Sequence, residues 1–204
     1  LDDIIQLSDL DCDRYHESFA HVPMSNILKP SRALILGGGD GILAKELLKY
    51  DNLEIDLVDI DPEVIRLSKL HLSDLNDNSL VNPRVRVHCM DALKFCETSK
   101  GGYDVIYADI TDPHPDSPSS SLLGFKAIDI YENLLSPDGI FVAQTDNIQI
   151  APEHSENIGR ILRKKFSNVG NFGIVALTLS SLFSFVWASN NSVLQPSELN
   201  VDTK

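Results

Sequence analysis

The chain of 204 residues carries 17 basic against 30 acidic side chains, a formal net charge of -13 at pH 7. That balance argues against nucleic-acid partners, which need a basic patch to displace counterions, and suits small cationic ligands. With 43% hydrophobic and 23% charged residues, the composition is that of a soluble globular protein with one sizeable core.

In chain order, the opening "LDDIIQLSDLDCDRY" is too acidic and too interrupted for a signal peptide. "RALILG" (32–37) is a short apolar run ending in glycines and predicts a buried strand; "DGILAKELLKY" after it has helical spacing. "LEIDLVDI" (53–60) predicts the second strand, and "DPEVIRLSKLHL" a helix that starts with an acid followed by Pro62. "RVRVHCM" (84–90) with "DALKFCE" gives a third pair, "YDVIYADI" (103–110) a fourth strand, "FKAIDIYENLL" a helix and "GIFVAQT" (139–145) a fifth strand. The uncharged run 173–188 is shorter than the roughly 20 residues of a membrane span and carries Thr178, Ser180, Ser181 and Ser184, so two buried strands and a turn are expected. Cys12, Cys89 and Cys96 form no CxxC pair and are odd in number, which indicates neither a zinc site nor a disulfide framework and fits a cytoplasmic location. No histidine pair has HxxxH spacing, so no metal is assigned.

Strands alternating with helices imply an α/β fold with a mostly parallel sheet covered on both faces. In such sheets ligands bind at the carboxyl ends of the strands, near the point where strand order reverses. Asp40, Asp59, Asp91, Asp109 and Gln144 all fall just after strands. The turn "LILGGGDGI" offers Gly37, Gly39 and Gly41 for close backbone approach to a ligand, with Asp59 ending the next strand where an acid receives ribose hydroxyls. No "GK[ST]" lysine accompanies the turn, so the expected ligand is an adenosine-type nucleoside rather than a triphosphate. Asp40 inside the turn points to a cationic ligand, although an aspartate here also suits a cap for the following helix.

The strings "QLSDLDCDRYHESFAHVPM", "LILGGGDG", "LVDIDPEVI", "HCMDALKF", "YDVIYADITDP" and "SPDGIFVAQ" together resemble the polyamine aminopropyltransferases, the spermidine synthase family, over roughly residues 1–190. The resemblance implies a class I methyltransferase-like Rossmann fold with a C-terminal antiparallel hairpin. It also implies transfer of an aminopropyl group from decarboxylated S-adenosylmethionine, a co-substrate rather than a tightly bound cofactor, to a diamine such as putrescine. By the same resemblance Asp109 is the base, assisted by Tyr15, with Asp112 orienting the amine. Gln6, His16 and Asp91 contact the nucleoside side, and Gln144 lines the amine groove. A homodimer is implied by the family as well.

Within that likeness three departures stand out. Residues 1–22 are expected to be the remnant of an N-terminal β segment, 23–190 the Rossmann-like catalytic domain and 191–204 a flexible tail, as if the family's chain were trimmed at both ends. "ALTLSSLFSF" replaces a segment close to "PTYPSGxxGF", so the family's amine-site tyrosine falls on Thr178. Asp59 replaces a more usual glutamate. Two other readings stay open: a methyltransferase on the same scaffold, and a noncatalytic homologue that binds a partner.

Overall fold

The computed structural model describes residues 6–111, 118–147, 152–176 and 181–191. A helix α1 (Cys12–Met24) leads into β1 (Arg32–Gly37), α2 (Ile42–Leu47), β2 (Glu54–Asp59), α3 (Pro62–His71), β3 (Val85–Cys89), α4 (Ala92–Thr98), β4 (Tyr103–Asp109), α5 (Phe125–Leu134) and β5 (Leu135–Asn147). Then follow α6 (Pro152–Leu162), β6 (Asn168–Ala176) and β7 (Ser181–Ser189). One sheet holds the strands in the order β3-β2-β1-β4-β5-β7-β6. Pairing is parallel from β3 to β5, while β7 runs antiparallel to both β5 and β6. This is the expected α/β fold, with the hairpin at its C-terminal side.

Ala33, Leu34, Ile35 and Leu36 of β1 are all fully buried, which is why this strand reads as an unbroken apolar run. Their alternation splits the core. Leu34 and Leu36 face Ala92, Cys96, Ile128, Tyr131 and Leu162, whereas Ala33 and Ile35 face Phe19, Met24, Leu43 and Leu47. Helices α4, α5 and α6 therefore cover one face, and α1 and α2 the other. Helix α3 starts where the sequence says it should: the Asp61 carboxylate accepts from the amides of Glu63 at 2.8 Å and Val64 at 3.3 Å, with Pro62 at the first helical position.

Two features correct the sequence reading. The stretch 1–22, expected as a β remnant, holds most of α1 among its described residues, and Phe19, Ala20 and Met24 of that helix share a core with the sheet. Helix α6 was not anticipated. Its buried face is Ser155, Ile158, Gly159 and Leu162, a helical spacing masked by two small residues. Residues 177–180, expected as a turn, and 192–204, expected as a flexible tail, lie outside the described residues. Among the described residues no helix is long and apolar enough to cross a membrane.

Candidate active site

Strand order reverses between β1 and β4, and there Gly37 pairs with Asp109. The glycine turn wraps onto that strand end. Gly37 and Gly38 have φ of +86° and +66°, and a Cβ on Gly37 would stand 2.0 Å from the Asp109 carbonyl oxygen. The Gly38 amide donates to that same oxygen at 2.9 Å. Only glycine satisfies both the left-handed backbone and the close approach.

Three of the expected acids meet at this turn. Asp59 accepts from the Gly39 amide at 2.9 Å through Oδ2 and from the Asp61 amide at 2.9 Å through Oδ1. Burial raises its pKa, and the charges of Asp61 and Asp40 add to this against the two amide bonds. Asp40 accepts from the Ile42 amide at 2.7 Å through Oδ1, a local turn bond one residue ahead of Gly41, which is the N-cap of α2, so the expected helix cap falls on Gly41 and not on Asp40. Asp109 is the extreme case. Burial first, then the nearby charges of Asp40 and Asp59, push its pKa well above the ordinary carboxylate range. Its Oδ2 is sealed from solvent with no hydrogen-bond partner among the described residues.

Asp56, an equally central acid, shows what a structural carboxylate looks like in the same sheet. It takes bonds from His88 at 3.0 Å, Tyr103 at 3.0 Å and Arg32 at 3.3 Å. Burial opposes its ionisation, yet these partners outweigh burial and hold its pKa below the usual value. Among the described residues Oδ2 of Asp109 has no such compensation, and an acid raised by burial and like charge at a strand end is the pattern of a candidate functional group.

The remaining residues approach from α1 and β5. The Tyr15 hydroxyl donates to Gln144 Oε1 at 3.0 Å, and Gln144 Nε2 donates to the carbonyl of Ile110 at 2.5 Å, one residue beyond Asp109. Tyr15 also lies edge-on to His16 and Phe183. His16 is buried, and its Nδ1 bonds the Cys12 carbonyl at 2.8 Å. Since a carbonyl can only accept, Nδ1 donates this bond. Asp91 caps α4 through the Lys94 amide at 2.9 Å, at the end of β3. Gln6 is exposed, in the segment leading into α1. Asp112 and Thr178 lie outside the described residues.

Sequence reasoning missed two groups here. Ile60 and Met90, 59% and 38% exposed, directly follow β2 and β3, and the Met90 amide donates to the Asp59 carbonyl at 3.0 Å. They supply apolar surface beside the acids, suited to a purine face. Asn76 and Ser79, from the segment between α3 and β3, bond the carbonyls of Asp40 and Gly41 at 2.8 and 2.6 Å. The exposed apolar pair follows strand ends and was legible as such; the Asn-Ser pair sits in a polar run that reads as an ordinary loop.

A glycine turn at the switch point of this sheet, with an acid ending the neighbouring strand, defines a methyltransferase-like Rossmann domain. The chain belongs to the spermine/spermidine synthase domain family, which matches residues 12–197. A polyamine aminopropyltransferase of Oceanobacillus iheyensis is 35% identical over 208 residues, covering 100% of this chain and 40% of that protein. The chain thus spans well under half the length of that relative. The crystal structure of a spermidine synthase from Thermotoga maritima superposes with a TM-score of 0.86 at 26% identity, over 97% of this chain and 68% of that one. A spermidine synthase in complex with the transition state analogue AdoDATO gives 0.83 at 26% identity, over 93% and 66%.

Proposed function

We propose that this protein transfers an aminopropyl group from decarboxylated S-adenosylmethionine to a diamine such as putrescine, giving spermidine and methylthioadenosine, in the cytoplasm. The observation that carries the reading is the convergence of Asp40, Asp59 and Asp109 on one glycine turn, with the sealed Oδ2 of Asp109 unpartnered among the described residues. Such a cluster suits a ligand that brings positive charge, and the co-substrate brings a sulfonium and an ammonium.

In the reaction the amine nitrogen attacks the aminopropyl carbon next to sulfur, the C–S bond breaks, and sulfur keeps the electron pair as a neutral thioether. The proton on the attacking nitrogen must leave, and Asp109 is the acceptor. A raised pKa makes it a competent base for an alkylammonium held against it. Tyr15, fixed by Gln144, positions the amine, with Asp112 as a second carboxylate. Asp59 takes the ribose hydroxyls, Asp91 the adenine amino group, and Gln6 and His16 close the nucleoside side over Gly37, Gly39 and Gly41. Asp40 receives the propylammonium and disfavours intact S-adenosylmethionine, whose carboxylate it would repel. Two copies pair as a homodimer.

Incubation with decarboxylated S-adenosylmethionine and a panel of diamines, followed by chromatography for methylthioadenosine, tests the reading. Formation of methylthioadenosine in step with amine consumption is expected. Methyl transfer from intact S-adenosylmethionine without methylthioadenosine would overturn it.

A further inference from the structure

The segment joining α3 to β3 closes on the glycine turn and holds it by two carbonyls. Asn76, 1% exposed, donates from Nδ2 to the Asp40 carbonyl at 2.8 Å, and buried Ser79 donates from Oγ to the Gly41 carbonyl at 2.6 Å. These acceptors belong to successive peptide planes, so together they fix the backbone on both sides of the Gly41 Cα. The Gly41 carbonyl is also the first acceptor of the α2 ladder, from the Lys45 amide at 3.0 Å. The Asp40 carbonyl lies ahead of that ladder and depends on a partner from elsewhere.

The segment is shaped for this contact. Asp77 and Asn78 both adopt left-handed backbone, φ +49° and +55°, a conformation that Asp and Asn tolerate better than other side chains. The fold-back is tied by the Asn78 amide to the Ser73 carbonyl at 3.0 Å and the Ser79 amide to the Asn76 carbonyl at 2.9 Å. A Cβ at Gly41 would come within 2.7 Å of both Ser79 Oγ and Leu80 Cγ, so no slack separates the two segments. Asn76 Oδ1, meanwhile, is buried with no partner among the described residues. An apolar residue of similar size would avoid that penalty. What the amide supplies in exchange is the donor to Asp40.

We propose that Asn76 is a positioning residue for co-substrate selectivity: by holding the Asp40 carbonyl it aims the carboxylate that meets the propylammonium. The inference rests on the function proposed above. With Oδ1 of Asp40 engaged by the Ile42 amide, the contact with the ligand falls to the second oxygen, whose location follows directly from the backbone that Asn76 and Ser79 restrain.

The test is calorimetric binding of decarboxylated S-adenosylmethionine and of methylthioadenosine, which lacks the ammonium, to the parent and to Asn76→Leu, Ser79→Ala and Asp40→Asn. Asn76→Leu is expected to keep methylthioadenosine binding within about threefold while weakening the decarboxylated ligand about tenfold, the size of one lost charge-assisted contact. Ser79→Ala should shift the ratio in the same direction by a smaller factor, and Asn76→Ala, which removes the same donor, decides the matter if Asn76→Leu fails to fold. A parent-like ratio in both variants, with a changed ratio in Asp40→Asn, would overturn the role of Asn76 and leave the proposed function standing. A parent-like ratio in Asp40→Asn would instead remove the ammonium contact itself, and this inference with it.

Discussion

Asp56 and Asp109 stand on the two strands that flank β1, yet their surroundings push them in opposite directions. A carboxyl whose folded pKa is raised contributes its stability below the ordinary carboxyl range and loses it as pH rises through the folded value. Asp109 therefore burdens the ligand-free fold near neutrality. Asp109→Asn should raise Tm at pH 7 by about 2–4 °C for each kcal/mol relieved, and the gain over the parent should vanish toward about pH 4, where the acid itself is neutral. The same variant should lose turnover by about 100-fold or more, as expected for removal of a general base, while still binding methylthioadenosine. Scanning calorimetry across pH beside a turnover assay checks both; an unchanged rate would pass the base role to another group. Thr178, proposed for the amine site, offers a separate test, since a hydroxyl there would reach less far than a phenol and would hold a small diamine less well. Thr178→Tyr should speed transfer to putrescine more than to spermidine, and a parent already fast on putrescine would show that another residue serves that purpose. The acids were legible because strand-end positions follow from hydrophobic pattern. The pairing of Tyr15 with Gln144, 129 residues apart, and the reach of Asn76 to Asp40 were not, because they depend on how separate elements cross.

At the scale of elements, the helix carrying Tyr15 must be held at a fixed distance from the helix that follows the glycine turn. An ion pair and a hydrogen bond to a buried carboxylate do this. Lys45 on α2 reaches Asp13 on α1 at 3.1 Å, and Glu46, 1% exposed, accepts from His21 on α1 at 2.9 Å and from Lys49 at 2.6 Å. Burial pushes the Glu46 pKa up, but the bonds from His21 and Lys49 outweigh it and hold the pKa below the ordinary value. Its stabilising share is therefore present above the usual carboxyl range and is lost as pH falls through the depressed folded value. Glu46→Leu leaves His21 and Lys49 without their shared acceptor, but both keep access to water, so it should cost about 1–2 kcal/mol, the scale of lost hydrogen bonds to a charged group. Urea unfolding of parent and variant should show that difference at pH 7 and less of it at acid pH; an equal loss at both would mean that packing, not the ion pair, joins the helices. The buried face of α1, Cys12, His16, Phe19, Ala20, Pro23 and Met24, has helical spacing, but His16 and Pro23 within it dilute the hydrophobic pattern that would mark a helix. Helix α6 hid for a different reason: Ser155 and Gly159 serve its buried face by being small, which a hydrophobic pattern does not register.

The whole molecule carries a net charge of -13, and its glycine turn concentrates acids, where the proposed substrates are cations. Summed charge of one sign raises the local concentration of oppositely charged ligands and speeds their association, and salt screens this over a Debye length of about 10 Å at 0.1 M. Contacts inside the turn, where burial excludes water, are screened far less. Raising salt from about 10 mM to about 0.5 M should therefore increase KM for the amine severalfold while leaving kcat nearly unchanged. The effect should grow with the number of positive charges on the acceptor, so spermidine should respond more steeply than putrescine. Methylthioadenosine, being neutral, should bind with nearly the same affinity throughout and serves as the control for any general effect of salt on the fold. Steady-state rates at several ionic strengths, paired with calorimetry of methylthioadenosine, give the comparison. Equal sensitivity of the neutral nucleoside and the amines would show that salt acts on the protein's conformation, and that the excess of acidic side chains contributes to solubility without steering the substrate.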